Sequence, residues 1–342
     1  MRALTLSAAG KLELREMPPP ASPAAGWAVV RIRAAAINHL DLFVADGLPG
    51  TALERPFIIG ADGAGIVEST GPGVKEVRPG DAVLINAGVS CGDCPACRAA
   101  DESLCATFRI LGEHLPGTMA ELVAVPAVNL APKPPAMSWP EAAAFSLAAL
   151  TAWRMLVTRA ELRAGETVLV WGAGGGVAQA AIRIAAWIGA RVIATSSRPE
   201  TLALARSLGA EIVVDHARDD VVAAVKAATG RRGVEVVVDN VGEATWERST
   251  RALARGGRLV TCGGTSGPAL ALDARRLFWH QWSILGSTMG SHAEYRAVTA
   301  LAAEGKFWPV IDQVIPLAEA PRAFERLRSG RQTGKLVLEV TP

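Results

Sequence analysis

The sequence predicts an α/β chain: a doubly wound parallel sheet covered by helices on both faces, joined to a β-rich domain. Three observations predict it. From about residue 138, short continuous apolar strands alternate with helices closed by glycine, as in a parallel sheet buried on both faces. Up to about residue 130, short apolar runs sit between turns such as Gly71-Pro72-Gly73 and Arg78-Pro79-Gly80-Asp81, the spacing of a barrel or sandwich. Between the first strand and the first helix of the alternating part lies a glycine-rich turn. At 342 residues, and roughly 100–200 residues per domain, the chain fits two domains.

The elements follow in order. Met1–Met17 reads as a strand pair, and Trp27–Ile32, Gly65–Glu68 and Ala82–Ile85 as strands. Ser138-Trp139-Pro140-Glu141 is a capping box with proline in the first turn, followed by a helix to about Val157. Thr167–Trp171 is a strand and Val177–Ile188 a helix closed by Gly189. Arg191–Thr195 and Pro199–Leu208 repeat the pair, closed by Gly209, and Glu211–Asp215 and Asp219–Ala228 repeat it again, closed by Gly230. Val234–Asp239, Glu243–Leu253, Arg258–Cys262 and Ser283–Ser287 continue the pattern. The tail predicts helices near Ala293–Glu304 and Leu317–Ser329 and a last strand, Lys335–Val340, which we expect to rejoin the first domain.

Composition excludes several classes. Half the residues are hydrophobic and 20% are charged, so the chain is not a disordered polyelectrolyte. The net charge is only +2, without the basic surplus of a dedicated nucleic-acid binder. No run reaches the ~18 apolar residues of a membrane span, and the charged N-terminus does not read as a signal peptide. We expect a cytoplasmic protein with no nucleic-acid or membrane partner.

Thr167–Trp171 leads into Gly172, Ala173, Gly174, Gly175, Gly176 and Val177, which open a helix. The best register is Ala173-x-Gly175-x-x-Ala178, a variant of the dinucleotide fingerprint with alanine at both ends. Glycine lets the backbone approach a pyrophosphate, and the helix N-terminus offers unpaired N–H groups to it. An ordinary strand–helix turn is the competing reading. At the end of the next strand, about 20 residues on, NAD-binding chains carry a carboxylate for the ribose 2′-OH. Here the residues are Ser196, Ser197 and Arg198, which suit a 2′-phosphate. The expected cofactor is NADPH, with NADH as the alternative.

Cys91, Cys94, Cys97 and Cys105 form a C-x2-C-x2-C-x7-C run. Four thiolates on one short loop close a tetrahedral zinc site with no open position, which makes it a structural site. We expect one zinc ion per chain there. A redox or iron–sulfur loop is the alternative.

The combination resembles the medium-chain dehydrogenase/reductase superfamily over essentially the whole chain. The resemblance rests on the cysteine run, the Gly172–Ala178 loop and the landmarks Gly80-Asp81-Ala82-Val83, Thr151-Ala152-Trp153, Val237-Val238-Asp239 and Gly334-Lys335-Leu336-Val337. It implies a GroES-like, β-rich catalytic domain over residues 1–147, with the structural zinc lobe at about 88–108. It also implies a Rossmann nucleotide-binding domain over 148–288, a returning segment over 289–342 and a homodimer joined near Ser283–Ser287. Thr151, Asp239, Asn240 and Lys335 join the glycine loop as cofactor-binding residues by the same resemblance.

The departures from the family carry more information. Its zinc enzymes hold a catalytic zinc by a cysteine, a histidine and a second cysteine. The matching positions here are Asn38, Ala61 of Gly60-Ala61-Asp62, and approximately Leu147, none of which replaces the lost ligand set. Asparagine at the first position is similar to the quinone oxidoreductase branch, which has no catalytic metal. The active-site tyrosine of that branch is absent: Phe43 stands near its position, and the only tyrosine is Tyr295.

Without a Lewis acid the acceptor must already be electrophilic, as conjugated enones and quinones are. Asn38 and His39 are the candidate donors to the oxygen that gains charge, with Asp41 and Asp62 orienting them. His39 also reads as a turn histidine packed under the cofactor, and Asp41 as a hydrogen-bonded loop carboxylate. Two rival readings are a zinc alcohol dehydrogenase with a metal site improvised from His39, Asp41 and Asp62, and a non-catalytic NADPH-binding protein.

Overall fold

The structure is a computed structural model that describes residues 1–48 and 53–340. Its contacts divide the chain into two compact units, Met1–Leu147 with Gly290–Pro342, and Ala148–Met289.

In the Ala148–Met289 unit, six parallel strands lie in the order Ile212–Asp215, Arg191–Ser196, Thr167–Val170, Val234–Val238, Leu253–Thr261, Ser283–Gly286. The strands are parallel because a helix or crossover returns the chain each time, and apolar residues fill both faces. Leu169, Ile193, Val237 and Leu259 are fully buried, with Trp171 and Trp246 packed into the same core. The order reverses beside Thr167–Val170. In sheets of this type the ligand crevice opens at that switch point, and the glycine turn follows this strand.

The other unit is antiparallel in most of its pairings. The strands Leu130–Pro132, Ala82–Ile85, Asp62–Thr70, Trp27–Ala36, Lys335–Glu339 and Ile311–Pro316 form its larger sheet in that order, with Leu122–Pro126 also on Trp27–Ala36. A smaller sheet carries Lys11–Glu16, Arg2–Ala8 and Phe57–Ile58. The last strand of the chain pairs antiparallel with Trp27–Ala36, setting Val337 opposite Ala36. On the other side of the same strand, Ala36 faces Asp62. Three strand ends from distant parts of the sequence therefore meet at one point. Gly60, just before Asp62, has φ +106°, and a Cβ there would lie 2.6 Å from Met119 Cγ, so only glycine fits this close approach.

Two elements depart from expectation. The capping box at Ser138 and Glu141 forms, but the α-helix ends at Trp153. Residues Arg154–Arg159 widen into a π turn, with Ala160 N–H bonded to Met155 O. The expected helix Glu243–Leu253 shortens to Trp246–Ala252. The buried Asp239 carboxylate draws the preceding residues into a turn by accepting from the N–H groups of Val241 and Gly242 and from Thr245 Oγ1. Among the described residues no helix is long and apolar enough to cross a membrane.

Candidate active site, nucleotide loop and metal centre

Asn38 is the N-cap of the helix His39–Asp46. Its N–H donates to Asp41 Oδ2 at 2.7 Å, and Asp41 N–H returns a bond to Asn38 O at 3.0 Å. This reciprocal pair fixes the turn that carries Asn38, His39 and Asp41. Ile37 N–H bonds Leu336 O at 2.9 Å, so the register continues and sets Lys335 opposite Asn38.

The side chains converge there. Lys335 Nζ donates to Asn38 Oδ1 and, at 3.3 Å, to Asp62 Oδ2. Asn38 Nδ2 lies 3.4 Å from both Asp62 Oδ2 and Ala36 O. The backbone N–H of Leu147 donates to Asp62 Oδ1 at 3.1 Å, and Thr118 Oγ1 to Asp62 O at 2.8 Å. Lys335 is 4% exposed, and Asp62 and Asp41 are fully buried. An ammonium only donates, so the atom of Asn38 facing it must be the oxygen, and the amide orientation is fixed by chemistry.

Burial governs the protonation states. It pushes Asp41 up to about 7, against the N–H of Asn38 and the charge of Lys335. It raises Asp62 as well, while Lys335 pulls Asp62 back down. Desolvation, helped by Lys335, lowers His39, so its imidazole is neutral at pH 7.

Two of the residues that the resemblance places with the cofactor have partners within the protein. Lys335, read from sequence as a cofactor ligand, lies in this polar cluster. Asp239 is fully buried and saturated by its own loop: Ser249 Oγ donates to Oδ2 at 2.5 Å and Thr245 Oγ1 at 2.8 Å. Its carboxylate shapes the turn bearing Asn240. Tyr295, the only tyrosine, is not expected from the sequence to lie near the reaction centre. The structure buries it with its hydroxyl 2.9 Å from Ser146 Oγ, next to Leu147, close enough for Asp62 to help raise its pKa.

The glycine turn fits a dinucleotide. Gly172 has φ +69°, and Gly175 N-caps the helix Gly176–Ile188 with no side chain capping it. The first-turn N–H groups are therefore open to an anion, and the atom nearest to a Cβ on Gly175 would be Gly172 O at 3.6 Å, so the space beside the turn is open. Ala173 N–H is held by Thr195 O at 2.9 Å. Thr151 is buried in the helix Trp139–Trp153. At the end of the next strand Ser196 Oγ accepts from Arg198 N–H at 3.2 Å, and Ser197 is exposed. The Arg198 guanidinium donates to Thr201 Oγ1 at 2.9 Å and pairs with Glu200 at 3.4 Å.

The sulfurs of Cys91, Cys94, Cys97 and Cys105 all lie within 4.8 Å of one another, with contacts of 3.5, 3.5 and 3.8 Å. A tetrahedral zinc with Zn–S of about 2.3 Å needs S···S edges of about 3.8 Å, so the four thiols fit that ion. The backbone N–H of Cys91 points at Cys105 Sγ at 3.5 Å, the kind of outer contact that orients a thiolate. Among the described residues this is the one group of three or more His, Cys, Asp or Glu side chains gathered for a metal. His39, Asp41 and Asp62 do not form a second.

Comparison with known proteins agrees with this architecture. The family described as alcohol dehydrogenase GroES-like domain matches residues 24–135, and zinc-binding dehydrogenase matches residues 176–304. A crystal structure described as an NAD-dependent alcohol dehydrogenase is 44% identical, covers all of both chains and superposes with a TM-score of 0.96. An NAD-dependent alcohol dehydrogenase of Sulfurisphaera tokodaii is 31% identical over 99% of both chains. An acryloyl-coenzyme A reductase of Metallosphaera sedula is 29% identical over 95% of this chain and 96% of its own. The chain belongs to the zinc-type medium-chain dehydrogenase/reductase superfamily and is an oxidoreductase with that family's GroES-like and Rossmann-like folds.

Proposed function

We propose that this oxidoreductase reduces an activated carbonyl compound, an α,β-unsaturated carbonyl or a quinone, by hydride transfer without a metal at the reaction centre. One observation carries the reading. The positions that match the catalytic zinc ligands hold Asn38, Ala61 and Leu147, and Asn38 and the Leu147 backbone N–H are bonded to the Asp62 carboxylate. A set of three metal ligands is not gathered there. The similarity to an acryloyl-coenzyme A reductase supports the same substrate class.

A bound nicotinamide dinucleotide supplies the hydride. Gly172–Val177 and the uncapped helix N-terminus hold its pyrophosphate, and Asn240 lines the next strand end. Ser196, Ser197 and Arg198 receive the ribose, and their chemistry favours NADPH over NADH. Asn38 Nδ2 donates to the substrate oxygen as charge develops on it. Asp62 and Asp41 hold Asn38 in place, and His39, neutral, adds a second donor. The four cysteines hold one structural zinc per chain. The Ser283–Gly286 strand ends its sheet, and Phe278 and Trp279 nearby are 68% and 64% exposed, which supports a homodimer through this edge. We place the enzyme in the cytoplasm.

The relatives named alcohol dehydrogenases favour a second reading, interconversion of alcohols and aldehydes with NAD. A panel of enones, quinones, aldehydes and alcohols with NADPH and NADH separates the two. The first reading requires enone or quinone reduction that survives chelation of the folded protein. Faster oxidation of simple alcohols than reduction of any enone or quinone rejects it.

A further inference from the structure

We propose that Lys335 is the resident cation of the reaction centre: its ammonium takes the part of the missing metal and donates an N–H to the substrate oxygen that acquires negative charge. The inference rests on the carbonyl-reductase reading above and adds a residue to it.

The argument begins with what burial costs. An ammonium 4% exposed must be paid for by close partners, and Lys335 has two, Asn38 Oδ1 and Asp62 Oδ2. A pair kept only for stability is poorly explained, because apolar residues of similar volume commonly hold a fold as well as a buried ion pair does. An ammonium carries three N–H donors. Among the described residues Asn38 and Asp62 are its only acceptors, so one donor is unassigned.

Its location is equally specific. Of the three positions that match catalytic zinc ligands, Asn38 accepts from Lys335 directly. Leu147 donates to the carboxylate that Lys335 pairs with, and Ala61 immediately precedes it. The positive charge therefore lies among the positions a metal would draw together. Lys335 also draws Asn38 Oδ1 toward itself and turns Nδ2 to Asp62 Oδ2 and Ala36 O, both at a long 3.4 Å, so a substrate oxygen beside the ammonium competes for Nδ2 only against weak acceptors.

In the step itself, a bound reduced nicotinamide would supply the hydride, its own C–H bond breaking and its ring being oxidised as a C–H bond forms at the substrate's β-carbon. The C=C pair moves toward the carbonyl, and its oxygen takes the charge. The proton on Lys335 Nζ stays there as a hydrogen bond, and the enolate carbon is protonated afterwards from water. A fixed cation stabilises this oxygen without reorganisation.

The test is Lys335→Ala beside the double variant Asp62→Asn/Lys335→Met, which removes both charges and leaves no unpaired carboxylate. For Lys335→Ala we expect kcat to fall on the order of 10²–10³, the usual loss for one oxyanion donor, with KM for the nucleotide unchanged. Added ethylammonium should restore part of kcat in a saturable way, a response a structural role would not give. The double variant should fold and stay as slow. Turnover of the double variant within about threefold of the parent, or a folded Lys335→Ala that ethylammonium does not rescue, overturns the proposal. Should Lys335→Ala not fold, the double variant decides alone. Should the parent reduce aldehydes but not enones or quinones, the substrate reading falls, while the same variants still report on the oxygen of that carbonyl.

Discussion

The same unit contains two places built around positive charge, and they are built in opposite ways. The cysteine lobe gathers four thiolates from Cys91 to Cys105 around a position that fits zinc. The polar cluster joins Asn38 and Lys335 across 297 residues of chain, and the charge there is covalently part of the protein. A soft tetrahedral cage can close locally, because Gly92 at φ +82° and Pro95 turn the chain between ligands. The ammonium needs a buried carboxylate and an amide oxygen, and only a sheet register can bring those to it. Under the proposed reading, one region keeps a metal site and the other replaces one with a charge of the chain itself.

The largest expected effect bears on the lobe. The parent should hold about one zinc per chain, and Cys97→Ser should lose it. Structural zinc binds with roughly 10–16 kcal/mol in small metal-dependent domains, so its loss should unfold the lobe and expose residues 88–108 to protease. Elemental analysis and limited proteolysis read this out. Two zinc ions per chain would break the comparison, because the polar cluster would then hold a metal of its own.

The contrast also explains what the sequence could show. The alternating strands and helices, the glycine turn and the cysteine run are local patterns, and each stands near its expected residues. The capping box at Ser138 and the glycine at 189 mark helix ends for the same reason. Asn38, His39, Asp41 and Asp62 were legible only as departures at positions known from the family. The resemblance puts Lys335 with the cofactor, and nothing local in the sequence connects it to Asn38; the pairing of Val337 with Ala36 does. Tyr295 is hidden from a local reading in the same way. Its link to Ser146 spans 149 residues.

The next effect is on turnover. Asn38→Ala removes the amide donor and an acceptor of Lys335, and kcat should fall on the order of 10²–10³. His39→Ala should cost less, since its imidazole is neutral and half-buried. The double variant tests whether the two share one role, in which case the losses will not add. A change under threefold in Asn38→Ala would make the cluster structural and dissolve its contrast with the lobe.

Asp41 gives a smaller, pH-dependent effect. Its folded pKa is about 7, raised chiefly by burial, and its unfolded value is near 3.8. Between these values the folded chain holds a proton that the unfolded chain has released, so stability falls as pH rises from about 4 to about 7 and is level above. From pH 5 to pH 8 the loss should be about 2–3 kcal/mol, at about 1.4 kcal/mol per unit. The groups facing Asp41 are Asn38, Asp62 and Lys335. Asp41→Asn should match the parent at low pH and exceed it at pH 8 in urea unfolding. An unchanged pH profile in the variant would show that Asp41 stays ionised beside Lys335, as a lobe-like anionic cage would be.

The smallest effect concerns the other local motif, the strand end at Ser196, and asks whether a legible pattern is also decisive. Ser197 is exposed, and the Arg198 guanidinium proposed to meet a 2′-phosphate is already engaged by Thr201 and Glu200. A phosphate must compete with those partners, so the preference for NADPH should be modest, about tenfold or about 1.4 kcal/mol. Ser196→Asp places a carboxylate at the end of the Arg191–Ser196 strand, where it would accept from the ribose 2′-OH and repel a phosphate. Titration of both cofactors by fluorescence should show the order reverse in that variant. Glu200→Ala should move the other way, freeing Arg198 and strengthening NADPH alone. If the parent binds NADH as tightly as NADPH and Glu200→Ala changes neither, Arg198 is a surface residue of its helix and the strand end does not select the cofactor.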